Sequence, residues 1–172
     1  MVKIRQMTIH DIKQVDALNR ASLPENYPFG FYLRLLSTEP HLQLIAENEA
    51  HKVVGYCVVA TGMNLSTLFS IDEDMLDYSL IISIAVDTCV QKQGIGRLLL
   101  QECIKTHDKL MLQVRVTNKV AIHLYKQMGF CISKTTKGYY QDGTDAHVMT
   151  YVKKEDEKKN ETMRTDQEDQ PA

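Results

Sequence analysis

Residues 79–104 read SLIISIAVDTCVQKQGIGRLLLQECI, and the passage through them decides the fold. The opening SLIISIAV is almost wholly apolar, as in a strand covered on both faces. GIGRLLLQECIKTH, from Gly94 to His107, reads as a helix, so the stretch is a strand-to-helix crossover. Between them Gln91-Lys92-Gln93-Gly94-Ile95-Gly96-Arg97 places two glycines one residue apart among polar side chains. Bare glycine lets a ligand approach the backbone, and the first N–H groups of a helix lack internal partners. With the helix dipole they form an anion site suited to a pyrophosphate, and Lys92 and Arg97 add positive charge. A glycine turn with no ligand is an equal reading of this feature alone. Leu99 stands where a Rossmann fingerprint needs its third glycine, and the G-K-[ST] ending of a Walker A loop is missing.

Outward from this crossover, KLMLQVRV (109–116) predicts a strand and NKVAIHLYKQM (118–128) a helix opened by Asn118, with Gly129 as its C′ residue. FCISKTTKGYY (130–140) and AHVMTYVKK (146–154) predict two closing strands. Toward the N-terminus, VKIRQMT (2–8) alternates as a strand. Ile9, Ile12, Val15 and Leu18 then fall at helical spacing, with Thr8 as N-cap and Asp11 three residues on. Pro24 disfavours helix at Leu23 and ends that run. FGFYLRLL (29–36) restarts a helix that stops near Pro40. LQLIAEN (42–48) and KVVGYCVVA (52–60) predict a hairpin, and 61–75 a surface loop. The order βααβββαβαββ makes an α/β fold with a mixed sheet of about seven strands and two βα crossovers.

The chain has 172 residues, enough for one domain with a proper core. A net charge of −2 gives no electrostatic case for nucleic acid. No stretch approaches the roughly 18 apolar residues of a membrane span, and MVKIRQMTIHDI has no signal-peptide core, so a cytoplasmic protein is expected. Cys57, Cys89, Cys103 and Cys131 form no C-x-x-C pair, which predicts reduced, mostly packed thiols and no metal site. Residues 154–172 hold one Met and otherwise no large apolar side chain, the composition of a disordered, charged tail.

Asn118, Ile122 and Tyr125 are spaced i, i+4, i+7 on one helical face, while Val120, Ala121, Leu124 and Met128 can supply the buried stripe. An Asn at the helix start and a Tyr two turns later thus follow a phosphate loop on the preceding crossover. Here the chain resembles a known family. Q-x-x-G-x-G at Gln91–Gly96, after ISIAV, is similar to the acetyl-CoA signature of the GNAT acyltransferases, and RVTNKVAIHLYKQMGF is similar to the second half of that fold. LPENYP (23–28) and KGYYQDGTDAHVM (137–149) narrow the resemblance to protein N-terminal acetyltransferases, in particular the NatA catalytic subunit and its archaeal relatives, with RimI enzymes more distant.

The resemblance implies one GNAT domain over residues 1–153 and direct acetyl transfer in a ternary complex with acetyl-CoA. The strands equivalent to IISIAV and LMLQVRV would splay, and main-chain groups of Ile84, Ala85 and Val86 would hold the pantetheine arm. The turn from Gln91 through Lys92, Gln93, Gly94, Ile95 and Gly96 to Arg97 would take the pyrophosphate. Asn118 would touch the cofactor, and Tyr125 would protonate the departing thiolate. Gln91 stands where many relatives carry arginine. Where relatives often place His, Tyr or Glu as base, this chain has Leu80 and Gln113. Glu25 is the remaining carboxylate at a motif position and is taken as base, through water.

An α-amine of pKa about 7.7–8.0 is already roughly a tenth neutral at pH 7, against one lysine in a few thousand. A weak base therefore suits α-amine acetylation far better than lysine acetylation. Leu23, Pro24, Tyr27, Tyr139 and Tyr140 would wall the first two residues of the peptide; as a Tyr-Tyr pair at a strand end, Tyr139 and Tyr140 would equally cap the sheet. Arg115 reads either as a partner for Glu25 or an acidic substrate, or as a solvent-facing strand residue. The implied substrates are N-termini of nascent proteins beginning with Ser, Ala, Thr or Gly, or with acidic residues when no helical-repeat scaffold at the ribosome is bound. The competing readings are a GNAT lysine or small-amine acetyltransferase and a non-catalytic acyl-CoA-binding module.

Overall fold

The structure, a computed structural model, describes residues 1–62 and 75–154. The predicted surface loop falls largely, and the predicted tail almost wholly, outside the described residues. Seven strands run β1 (Lys3–Gln6), β2 (Leu44–Glu47), β3 (Val53–Ala60), β4 (Ser79–Val86), β5 (Lys109–Arg115), β6 (Cys131–Thr136) and β7 (Ala146–Val152). Four α-helices stand among the described residues: α1 (Ile12–Ser22), α2 (Phe29–Thr38), α3 (Ile95–Thr106) and α4 (Lys119–Gln127). Among the described residues the strands form one sheet of order β1-β2-β3-β4-β5-β7-β6, in which only β4 and β5 are parallel. The α/β expectation, its element order and its mixed sheet all hold.

Two apolar layers cover the sheet. α3 and α4 bury Ile95, Leu99, Leu100, Cys103, Ile122 and Tyr125 against one face. α1 and α2 bury Ile12, Val15, Leu18, Tyr32 and Leu35 against the other. The N-terminal helix begins as a 3₁₀ turn over Ile9–Asp11, where the Thr8 N–H donates to Asp11 Oδ2 at 2.8 Å. That turn leaves Ile9 exposed, outside the stripe that the spacing assigned it to. Leu23 closes α1 in extended conformation, as the following proline requires.

In α4 the buried stripe differs from expectation. Val120 is 80% exposed, while Ile122 and Tyr125 are buried, with Ala121, Leu124 and Met128 partly covered around them. α4 approaches α3 at Leu124, which rotates Val120 to the water side. The thiols also divide: Cys57 and Cys103 are buried 3.4 Å apart, whereas Cys89 and Cys131 are exposed, and all four are free. No helix among the described residues is long and apolar enough to cross a membrane.

A candidate active site between the splayed strands

The parallel ladder is short. Ser79 pairs with Leu110, Leu80 with Met111 and Ile81 with Leu112, and there it stops. Beyond that point β4 follows β3 to Val86, and β5 follows β7 to Arg115. The cause is a bulge: Val58 opposes Ser83 and Val59 opposes Ile81, so Ile82 is an extra residue on β4. A bulge bends its strand and increases the twist, which draws Ile82–Val86 away from β5. Backbone groups of this segment that point away from β3 therefore face an open wedge. Ile84, Ala85 and Val86 lie along it, and the Val86 carbonyl accepts from Gln91 Nε2 at 3.2 Å.

At the wide end of the wedge lies the glycine turn. Asp87 accepts from the Cys89 N–H and pairs with Lys52, and these bonds hold its carboxyl below the usual range. Lys92 (φ +62°) and Gly94 (φ +81°) then wind the chain into α3. The first bond inside the helix is Leu98 N–H to Gly94 O, so the N–H groups of Ile95, Gly96 and Arg97 have no partner within it. The two glycines are there for different reasons. A Cβ on Gly94 would meet open space, and its left-handed φ is what requires glycine. A Cβ on Gly96 would lie 3.3 Å from Leu124 Cδ2, so Gly96 serves the close packing of α3 on α4. Lys92 and Gln93 are exposed, whereas Arg97 ties the two helices by donating to Gln127 Oε1 at 2.6 Å.

Asn118 caps α4 by accepting the Ala121 N–H at 3.1 Å through Oδ1, which leaves Nδ2 for another acceptor. Tyr125 is 7% exposed beside Phe130, and burial, with Cys57 nearby, pushes its phenol pKa up. It is therefore a neutral O–H at any working pH.

At the other side of the sheet a second group assembles. Strand alternation puts Gln113 and Arg115 on the face of Met111, the α1–α2 side. Arg115 Nη2 meets Glu25 Oε1 at 2.5 Å, Nη1 meets Asp142 Oδ2 at 2.7 Å, and the guanidinium lies 3.9 Å from the Tyr140 ring centroid. Of its two expected settings, the fold places Arg115 in the cleft. Asp142, in the turn between β6 and β7, is held down to about 2 by the Thr144 N–H and hydroxyl and by Arg115. Tyr139 and Tyr140 pack edge to face at 5.0 Å, and Tyr27 stacks on Phe31 at 4.4 Å. Burial raises Tyr27 and Tyr140 to about 12, each also feeling Glu25 and Tyr139. Leu23 is half-buried and Pro24 exposed at the lip. Leu80 is sealed in the core at 1% exposure and Gln113 is half-buried; neither can accept a proton usefully.

Four residues of this arrangement escape sequence reading: Asp142, and the buried chain Asn19, Tyr56 and Ser83. Asn19 carried a signal, since it continues the buried stripe of Ile12 and Val15 with a polar side chain. Tyr56 and Ser83 sit inside apolar strand runs and carry little. Two surface cavities, of about 480 Å³ around Lys3, Arg5, Glu47 and His51 and of about 240 Å³ around His41 and His107, lie at the β1 edge and share no residue with this cleft.

The acetyltransferase (GNAT) family model matches residues 12–130. An N-alpha-acetyltransferase of Sulfolobus acidocaldarius is 38% identical over 153 residues, covering 86% of this chain and 90% of that protein. The N-terminal acetyltransferase A complex catalytic subunit NAA10 of Arabidopsis thaliana is 31% identical, covering 87% and 77%. Among solved structures, Naa20 of Chaetomium thermophilum in complex with a bisubstrate analogue superposes with a TM-score of 0.74 at 27% identity, covering 91% of this chain and 89% of that one. The chain belongs to the GNAT acetyltransferase family, and within it is similar to the N-alpha-acetyltransferases and NatA catalytic subunits.

Proposed function

We propose that this chain is a protein N-terminal α-amino acetyltransferase that moves acetyl from acetyl-CoA to a peptide N-terminus by direct attack in a ternary complex. One observation carries the reading: the sheet opens after Ile81–Leu112, between a glycine turn on one face and a carboxylate walled by tyrosines on the other. A cofactor in the wedge meets an amine arriving from the opposite side of the sheet.

The N–H groups of Ile95, Gly96 and Arg97, with Gln91, Lys92, Gln93 and Gly94 around them, take the pyrophosphate at the positive end of α3. Main-chain groups of Ile84–Val86 take the pantetheine arm and polarise the thioester carbonyl; fixed donors in a water-poor cleft stabilise the oxyanion strongly. The Val86 carbonyl, which accepts from Gln91 Nε2, keeps a second lone pair for the arm. Asn118 Nδ2 reaches the cofactor. Glu25 receives the amine proton through a water, while Arg115 fixes it by Oε1. The neutral Tyr125 hydroxyl donates to the thiolate as it leaves. Leu23, Pro24, Tyr27, Tyr139 and Tyr140 hold the peptide backbone by flat apolar faces with hydroxyls at the rim.

The substrates are N-termini beginning with Ser, Ala, Thr or Gly, and acidic ones when the chain works without a scaffold. A helical-repeat auxiliary subunit near the ribosome, in the cytoplasm, is the setting that fits the similarity to a catalytic subunit of a complex. Residues 1–153 form the catalytic domain and 154–172 a tail.

Acetyl transfer to peptides starting with Ser and with Glu tests this, each also run with its N-terminus blocked and an internal lysine free. Turnover confined to free N-termini is expected. Turnover of blocked peptides would indicate a lysine enzyme, and acetyl-CoA binding without transfer a binding module.

A further inference from the structure

Glu25 lies on a loop, and a base on a loop is useful only if its distance from the thioester is fixed. A continuous polar chain supplies that distance. Asn19 Nδ2 donates to the Glu25 carbonyl at 3.1 Å and to the Tyr56 hydroxyl at 2.8 Å. The Tyr56 and Ser83 hydroxyls are 2.7 Å apart. Tyr56 accepts from Asn19, and either of the Tyr56 and Ser83 hydroxyls can donate to the other. Asn19 and Tyr56 are fully buried and Ser83 is 6% exposed. The chain starts in α1, crosses β3 and ends on β4, the strand proposed above to hold the acetyl donor.

Two details argue that these bonds are more than filling. Asn19 Oδ1 is buried without a partner, an expense that an apolar residue at the same place would avoid. The amide's orientation is nonetheless forced, since the Glu25 carbonyl can only meet a donor. Ser83 owes its direction to the bulge. Leu80, Ile82 and Ala85 all pack on the α1–α2 side, so alternation slips by one residue between Ile82 and Ala85. The same irregularity that opens the cofactor wedge thus turns Ser83 toward Tyr56.

We propose that Asn19, Tyr56 and Ser83 are positioning residues, a hydrogen-bonded tether that sets the reach of Glu25 from the acyl-donor strand; this rests on the α-amine acetyltransferase reading with Glu25 as base. The tether acts through the main chain of Glu25 and touches neither substrate. Removing a link lets the loop drift while the wedge and the glycine turn stay in place. Displacements near 1 Å cost on the order of 100-fold in rate.

Tyr56→Phe keeps the ring and removes one hydroxyl, so it should fold even where Asn19→Ala does not; Ser83→Ala is the second probe. The assay is steady-state acetyl transfer to a Ser-starting peptide, with the acetyl-CoA Kd measured by calorimetry. Tyr56→Phe is expected to lower kcat about 10- to 100-fold with the Kd within about twofold of wild type. In a Glu25→Gln background the same substitution should cost less than about twofold, because the group being positioned is gone. A Tyr56→Phe loss that persists in full in that background, or a parallel loss of acetyl-CoA affinity, overturns the tether. Wild-type turnover in Glu25→Gln overturns the base assignment and the tether with it. A wild-type chain that transfers to no free N-terminus overturns the underlying reading itself.

Discussion

Replacing Arg115 by methionine separates the stability of the cleft from its chemistry. The guanidinium makes three contacts: Glu25 Oε1 at 2.5 Å, Asp142 Oδ2 at 2.7 Å and the Tyr140 ring at 3.9 Å. The arginine side chain is 20% exposed, but Glu25 and Asp142 are 39% and 57% exposed, so water screens both pairs. The screened pair with Glu25 contributes about 0.2–1 kcal/mol and the stacked cation about 0.5–1 kcal/mol, while the pair with the solvent-open Asp142 adds little. Against this, Arg115 Nε is buried with no partner, and methionine removes that cost while keeping much of the stem packing. The net loss should be about 1 kcal/mol, a fall in Tm of about 2–4 °C. Activity should fall much further, because Glu25 loses the contact that fixes its carboxylate: kcat/KM for a Ser-starting peptide should drop about 10- to 100-fold. Arg115→Lys sharpens the test, since one ammonium cannot span both carboxylates and lie flat on Tyr140. It should recover Tm and leave kcat/KM depressed. Melting curves and initial rates on the same preparations decide it. Arg115→Met with kcat/KM within about twofold of wild type, or a fully active lysine variant, would refute the clamp.

The two glycines of the turn should respond differently to alanine. Gly94→Ala forces a side chain into the left-handed region and should destabilise by about 1–2 kcal/mol in a denaturant titration, although space is open there. Gly96→Ala gains helix propensity of up to about 1 kcal/mol against a 3.3 Å contact with Leu124, so stability near wild type is expected; equal losses at both sites would contradict the assignment. At the far edge, the Arg5 guanidinium holds the Asp11 carboxyl at about 2, against about 3.9 in an unfolded chain. A depressed pKa stabilises above the unfolded value and is lost as pH falls through the folded one. The stability gap between wild type and Asp11→Asn should therefore be full at pH 7 and close between about pH 4 and pH 2; a gap independent of pH would exclude the ion pair as its source.

What was legible in the sequence follows from the range of the physics involved. Strand and helix periods are local, so β4, α3, β5 and α4 could be read within a few residues, and Pro24 marked the end of α1. The wedge itself was not local information. Whether β4 stays paired to β5 depends on where Ile82 is squeezed out against β3, and that is a register between strands over twenty residues apart in the chain. Arg115 shows the same limit. Its residue type fitted a surface strand as well as a cleft, and the choice was made by two loops that reach it from Glu25 and Asp142. The second glycine was assigned to a ligand on spacing alone, while the packing of α3 on Leu124 gives it a reason of its own.

The absence of a strong base on the two central strands is the feature that most shapes the chemistry. Leu80, on β4, is fully enclosed by the α1–α2 core, and Gln113, on β5, is an amide. Neither position can be rescued by a shift of rotamer, because the first has no heteroatom and the second no basic one. On the proposed reading the proton goes to Glu25, a loop carboxylate that the Tyr139 and Tyr140 hydroxyls both feel. A lysine amine is neutral only about once in a few thousand molecules near pH 7, so a cleft without a base on its central strands meets it almost always as ammonium. An α-amine is neutral about one time in ten, so most of the work has been done before it binds. The same cleft that would be inadequate for a lysine is sufficient for an N-terminus. With peptides of both kinds offered at equal concentration, the ratio of rates should narrow steadily as pH rises from 7 to 9, because the α-amine saturates while the lysine continues to gain neutral form. A ratio that stays flat across that range would mean that the lysine ammonium is deprotonated in the cleft, and would overturn the reading that the amine must arrive neutral.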